Sequence, residues 1–212
     1  MRKIIFIISI IVTGVGLAFA FSYKSPGYQT YLKLSNIDKK IENELKVNDS
    51  SLVKNITQLH QSVQDLIIVG ENYTEETEVN KKFEDFNQAY ELSKQLGKQI
   101  DEFMDKDVTL KLEKPASKLT KKCKEMANET INLERERLKK LKNINQNLQI
   151  LIKKLANIED TLYNDKGSEA VQYFNDINNE FENIKKGYEE YVEITNQYFE
   201  VKERLYEVLT TT

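Results

Sequence analysis

Apolar side chains recur along most of the chain at alternating spacings of three and four, which lays one apolar stripe along an α-helix. A first stretch carries Leu34, Ile37, Ile41 and Leu45. Asn48-Asp49-Ser50-Ser51 then offers a cap or kink, and the stripe resumes through Leu52, Ile56, Leu59, Val63 and Leu66. Gly70 to Thr74 reads as a turn, with Thr74 able to cap the next helix. The second stripe runs Val79, Phe83, Phe86, Tyr90, Ser93, Leu96, Ile100 and Phe103. Between Asp105 and Pro115 the apolar residues Val108, Leu110 and Leu112 alternate, which allows a short extended segment, and the stretch is expected to be a loop that packs its apolar side chains on the end of the bundle.

The third stripe includes Leu119, Cys123, Met126, Leu133, Leu138, Leu141, Leu148, Ile152, Leu155 and Leu162, with no breaker between Ala116 and Tyr163. Asn164-Asp165-Lys166-Gly167 is a turn, after which Ser168 can cap a fourth helix. Its stripe is Val171, Phe174, Ile177, Phe181, Ile184, Tyr188, Tyr191, Thr195, Tyr198, Leu205 and Leu209. A helix that long cannot bury its stripe alone. Short turns between helices of similar length make neighbours antiparallel. The expected fold is therefore all-α, an elongated antiparallel up-and-down four-helix bundle over residues 31–209. A three-helix bundle is the alternative if residues 106–115 extend a helix or residues 28–50 detach.

The N-terminus has a different pattern. Arg2 and Lys3 precede an apolar run from Ile4 to Phe21, and Ala18-Phe19-Ala20 supplies the small residues that signal peptidase reads. Residues 1–20 are expected to be a signal peptide or an N-terminal membrane anchor, the charges keeping the N-terminus inside. Residues 21–30, with Pro26-Gly27, are expected to be a tether. Either reading exports the remainder to the outer face of the membrane, the wall or the medium. If the segment stays, it makes the membrane a partner.

Composition narrows the chemistry. The chain has 31 basic and 34 acidic residues, a net charge of -3, and without Arg2 and Lys3 the balance is 29 against 34, or -5. That is a poor general binder of nucleic acid. Cys123 is the only cysteine and His60 the only histidine, so an intramolecular disulfide, Cys-rich metal sites and His-pair metal sites are out. Cys123 falls on the stripe as a small buried residue, with an exposed, dimerising thiol as the lesser reading. His60 sits at a stripe's edge in a packing or solvated role. No Gly-rich phosphate loop, nucleophile elbow or Glu-x-x-His di-iron motif occurs, so neither a cofactor nor an enzymatic activity is expected.

Charge is unevenly placed. Residues 111–143 hold eleven basic and five acidic side chains, a net of +6, and residues 159–207 hold five basic and thirteen acidic, a net of -8. One reading makes Lys118, Lys121, Lys122, Arg135, Lys139 and Lys142 a patch for an anionic partner such as teichoic acid or lipid headgroups. The other pairs them with Glu189, Glu190, Glu193, Glu200, Glu203 and Glu207 of the fourth helix, where exposed pairs contribute only about 0–1 kcal/mol each.

The segment from Tyr173-Phe174-Asn175 through Tyr188-Glu189-Glu190-Tyr191 to Lys202-Glu203-Arg204-Leu205-Tyr206-Glu207-Val208-Leu209 resembles the YkyA-type family of cell-wall-binding proteins of low-GC Gram-positive bacteria. The resemblance implies an elongated up-and-down bundle outside the membrane with no catalytic motif, so no functional residue is carried over. Family members are typically lipoproteins, and this chain has no cysteine after its apolar run to acylate. The function expected is a non-enzymatic envelope protein, a helical rod binding wall polymer or a protein partner. The alternative is a secreted helical effector that acts on target membranes.

Overall fold

The structure, a computed structural model, describes residues 26–71, 76–106, 108–164 and 167–211. Among the described residues there are four long helices and two short ones. They are α1 (Pro26–Glu71), α2 (Glu76–Met104), α3 (Val108–Ala116), α4 (Lys121–Leu155), α5 (Ile158–Asn164) and α6 (Ser168–Thr211). No strand occurs among the described residues. α1 has 46 residues and α6 has 44, so each spans about 65–70 Å at 1.5 Å per residue. The N-terminal signal or anchor reading (residues 1–20) and the Thr74 cap fall outside the described residues.

Few residues interrupt these helices. Pro26 opens α1, where its missing N–H costs nothing. Residues 26–30, expected in the tether, are thus helical, and Tyr28 is already buried. Asn48-Asp49-Ser50-Ser51 neither caps nor breaks α1, which runs through it. The reason is that Asn48 is buried in line with Leu45 and Leu52, so the stripe is continuous through the polar run.

Residues 108–116 are helical, not extended. Val108, Leu112 and Ala116 recur every four residues and are buried, while Leu110 is 56% exposed. A strand would put Val108, Leu110 and Leu112 on one face. Pro115 sits at the end of α3, which stops one residue later. The chain also breaks at residues 117–120 and again at 156–157, so the single third helix expected from Ala116 to Tyr163 is α4 followed by α5. Gly167 adopts a left-handed conformation (φ 70°) in the turn before α6, which suits a residue without Cβ. Ser168 is the first helical residue of α6 rather than a residue preceding it.

The buried positions form one core. On α4 they fall at Cys123, Ala127, Thr130, Glu134, Arg137, Leu141, Ile144, Leu148, Leu151 and Leu155, an unbroken four–three spacing. That 3.5-residue repeat keeps one seam facing its neighbours along the whole helix. α4 packs most extensively on α6 and α1 on α2; α2 also packs on α4, and α1 on α6. Lys82 meets Asp65 at 2.6 Å, and Lys106 meets Glu44 at 2.8 Å. Lys154 meets Glu180 at 2.7 Å, and Lys140 meets Glu190 at 2.6 Å. In each pair of helices, rising numbers on one meet falling numbers on the other. α2 ends level with Glu44 of α1, and α3 packs on α1 and α4 beyond that point. There Leu112 joins Leu34, Ala127 and Ile131. Four long helices are present among the described residues, with residues 28–50 packed into the core, so the three-helix alternative does not hold.

Candidate functional site

The most unusual chemistry lies inside the bundle, where α1, α4 and α6 meet. Heptad spacing delivers Asp38 from α1, Glu134 and Arg137 from α4, and Tyr198 and Lys202 from α6 into core positions. Glu134 is 0% and Arg137 2% exposed. Arg137 donates from Nη1 to Glu134 Oε2 at 3.0 Å. It also donates from Nη1 to Glu42 Oε1 at 2.6 Å and from Nη2 to Glu42 Oε2 at 3.1 Å. That bidentate fork fits a planar guanidinium and would not fit a lysine. Lys202 Nζ donates to Asp38 Oδ2 at 3.0 Å, and the Tyr198 hydroxyl donates to Asp38 Oδ1. The Tyr198 ring is close to both cations, 4.8 Å from the Arg137 guanidinium and 4.7 Å from Lys202 Nζ.

Counting formal charges shows why Glu134 is the group that shifts. Arg137 and Lys202 balance Asp38 and Glu42. An ionised Glu134 would be a surplus negative charge with no solvent, and its Oε1 has no partner. Burial accordingly raises the Glu134 carboxyl from 4.5 to about 7, against the pull of Arg137. Burial tends to lower the Arg137 pKa, but Glu134 and Glu42 outweigh it and hold the pKa well above its usual value. Burial also raises the Tyr191 and Tyr198 hydroxyls. Nearby, burial raises Asp49, opposed by Tyr188 and Arg137. A water-sized cavity borders the cluster, lined by Asp38, Thr130, Tyr198 and Tyr206 among apolar neighbours. Chemically the cluster can hold or release one proton at Glu134, and its Asp38, Glu134, Arg137 and Lys202 side chains are buried.

The six residues expected to form an anionic-partner patch are all exposed, but they form two groups. Lys118, Lys121 and Lys122 lie at the α3–α4 corner. Arg135, Lys139 and Lys142 border an open groove floored by Phe103, Met104, Val108 and Leu138. From Lys122 to Arg135 is about 20 Å along α4. Arg135 is engaged by Glu113 and by Asn132 Oδ1 at 2.9 Å. Of the α6 carboxylates expected to pair with this region, Glu190 does so, with Lys140, among the described residues. Lys111, Lys114, Lys118, Lys121, Lys122, Lys124, Lys139 and Lys142 are exposed and form no ion pair among the described residues.

Cys123 is buried, as its place on the stripe implied. His60 packs its ring 4.4 Å from that of Phe181, and burial lowers its pKa against the pull of Glu182. Sequence reasoning missed the internal cluster because it followed apolar residues only. The signal was present: the four–three spacing runs straight through Glu134 and Arg137 on α4 and through Lys202 on α6. No helix among the described residues is long and apolar enough to cross a membrane, and no group of side chains there could hold a metal ion. No protein-family model matches the chain, and no curated protein or solved structure is significantly similar to it.

Proposed function

We propose that the chain is a non-enzymatic, extracytoplasmic envelope protein. In this reading it is an elongated, antiparallel up-and-down four-helix bundle, exported through its N-terminal apolar stretch, that binds an anionic wall polymer or an envelope protein through lysines of α3 and α4. The observation that carries the reading is the set of exposed lysines from Lys111 to Lys142 that no carboxylate neutralises among the described residues. Had they served only to pair α4 with α6, the glutamates opposite would engage them. The opposite-running cross-helix pairs support the topology, and the length of α1 and α6 supports a rod. The non-enzymatic part is supported by the burial of most of the strongest cluster of ionisable groups.

Retention of the purified protein on immobilised polyglycerol phosphate tests the binding claim. Binding at low salt and release near 1 M salt is expected, because screening at 1 M acts within about 3 Å. The double variant Lys139→Glu/Lys142→Glu and the triple variant Lys118→Glu/Lys121→Glu/Lys122→Glu separate the two groups. If neither the wild type nor the variants are retained at low salt, polymer binding is wrong. If all are retained equally, the lysines are not the contact.

A further inference from the structure

Beyond side-on binding, one end of the bundle has the features of a surface that meets a bilayer. From Lys114 to Lys124 the sequence holds Lys114, Lys118, Lys121, Lys122 and Lys124 and no acidic residue, a net of +5. All five are exposed. Lys114, in the last turn of α3, suits that helix's dipole, but Lys121, Lys122 and Lys124 open α4. The first turn of α4 carries no carboxylate, Thr120 makes no side-chain capping bond, and cations at a helix N-terminus are disfavoured by the helix dipole. Lys121, Lys122 and Lys124, placed against the dipole of α4, call for an external anion.

Their position supplies the partner. Leu34 of α1 shares a cavity wall with Ala127 of α4, and Glu42 of α1 bonds Arg137 of α4. The offsets are 127 − 34 = 93 and 137 − 42 = 95, so Lys121 lies level with residues 26–28, at the start of α1. The apolar stretch in the sequence ends at Phe21. Five residue steps from there to Pro26 span at most about 17 Å. A membrane anchor in residues 4–21 therefore holds the lysine corner within reach of the headgroups, where the potential of an anionic leaflet acts over about 8–10 Å.

We propose that the α3–α4 corner, Lys114 to Lys124, docks on the surface of an anionic bilayer and seats the rod upright on the membrane that holds its N-terminal segment. This rests on reading that segment as an uncleaved anchor. The far end is unsuited to the same role. Residues 158–182 carry Glu159, Asp160, Asp165, Glu169, Asp176, Glu180 and Glu182 against Lys166 alone, a net of -6.

The chain has no tryptophan, so a single introduced one reports on a chosen site. Thr120→Trp places an indole at the corner without removing a side-chain cap bond, and Val171→Trp, at an exposed residue of α6, serves as the distal control. Full-length variants would be reconstituted into phosphatidylcholine vesicles with and without roughly one third phosphatidylglycerol. With phosphatidylglycerol present, the emission of the corner indole is expected to shift to shorter wavelength and resist quenching by acrylamide. The shift should vanish in phosphatidylcholine alone, near 1 M salt, and in the Lys118→Glu/Lys121→Glu/Lys122→Glu background, while the distal indole stays solvent-like throughout. A chain that stays with the vesicles but whose corner indole matches the distal one overturns docking and leaves the anchor standing. A chain that does not partition into vesicles overturns the anchor, and docking with it. A shift as large with soluble polyglycerol phosphate assigns the corner to a free polymer and also overturns the proposal.

Discussion

The half of the bundle near Pro26 and the half near Glu71 are built on the same heptad spacing, yet they differ inside and out. The near half buries Asp38, Glu134, Arg137 and Lys202 and carries the lysine corner on its surface. The far half fills the same kind of core position with Leu59, Val63, Leu66, Leu148, Leu151, Leu155, Ile177 and Phe181, and its α5–α6 surface is acidic. An apolar seam that repeats every seven residues packs almost as well one heptad out of register. A slip of α4 against α1 would separate Arg137 from Glu42 and leave buried charges without partners, which is costly. In this comparison the far half supplies apolar burial and the near half fixes alignment. The buried charges serve specificity more than net stability, because a buried ion pair roughly breaks even against apolar replacements.

The largest effect should come from breaking the charged layer on one side. Arg137→Met leaves Glu134 and Glu42 without their cation and is expected to cost about 3–5 kcal/mol, read as a lower guanidinium midpoint. Leu148→Ala, at a fully buried site of the far half, should cost about 2–5 kcal/mol through the cavity it leaves. Replacing the layer together (Glu42→Gln, Glu134→Leu, Arg137→Met) should recover most of what Arg137→Met loses. A triple variant as unstable as the single one would mean that the charges stabilise the fold directly.

Protonation sharpens the same contrast. Burial raises the folded pKa of Glu134 to about 7 from 4.5. Its contribution to stability is thus intact below pH 4.5 and lost as pH rises through 7. The difference in unfolding free energy between wild type and Glu134→Gln should fall by about 3 kcal/mol across that window. His60 acts with the opposite sign: its lowered pKa adds stability as pH rises. It is present in both proteins and cancels in the difference. A flat difference between pH 4 and 8 would show that Glu134 is not the proton site. The smallest effect belongs to the far half's ion pair. Lys154→Ala, removing the contact with Glu180, should change stability by no more than about 1 kcal/mol.

Much of this fold is legible in the sequence, because long stripes with few prolines and glycines leave little besides helices. The stripe of the second helix coincides with the buried face of α2 from Phe86 to Phe103. What is not legible has two physical sources. Val108, Leu110 and Leu112 fit a period of two, but Val108, Leu112 and Ala116 also fit a helix, and tertiary contact with α1 and α4 decides between them. Polar residues at core positions interrupt an apolar stripe without interrupting the helix, so Asn48 resembles part of a kink, and Glu134 and Arg137 resemble surface charge. The excess of lysines in residues 111–143 follows from charge counting, but not that most of these lysines stay unpaired among the described residues. Nor does their division into a corner and a groove, because distance along α4 matters only once its neighbours are placed.

A rod with one cationic end has an orientation only if it stands outside the membrane that its N-terminal segment would engage. Fractionation of the host's cells, with the intact mass of the protein in each fraction, tests this most directly. The account predicts a full-length mass in the membrane fraction, with the lysine corner at the headgroups; a mass beginning at Phe21 in wall or medium would keep export and remove the anchor. A full-length protein confined to the cytoplasmic fraction would contradict the account.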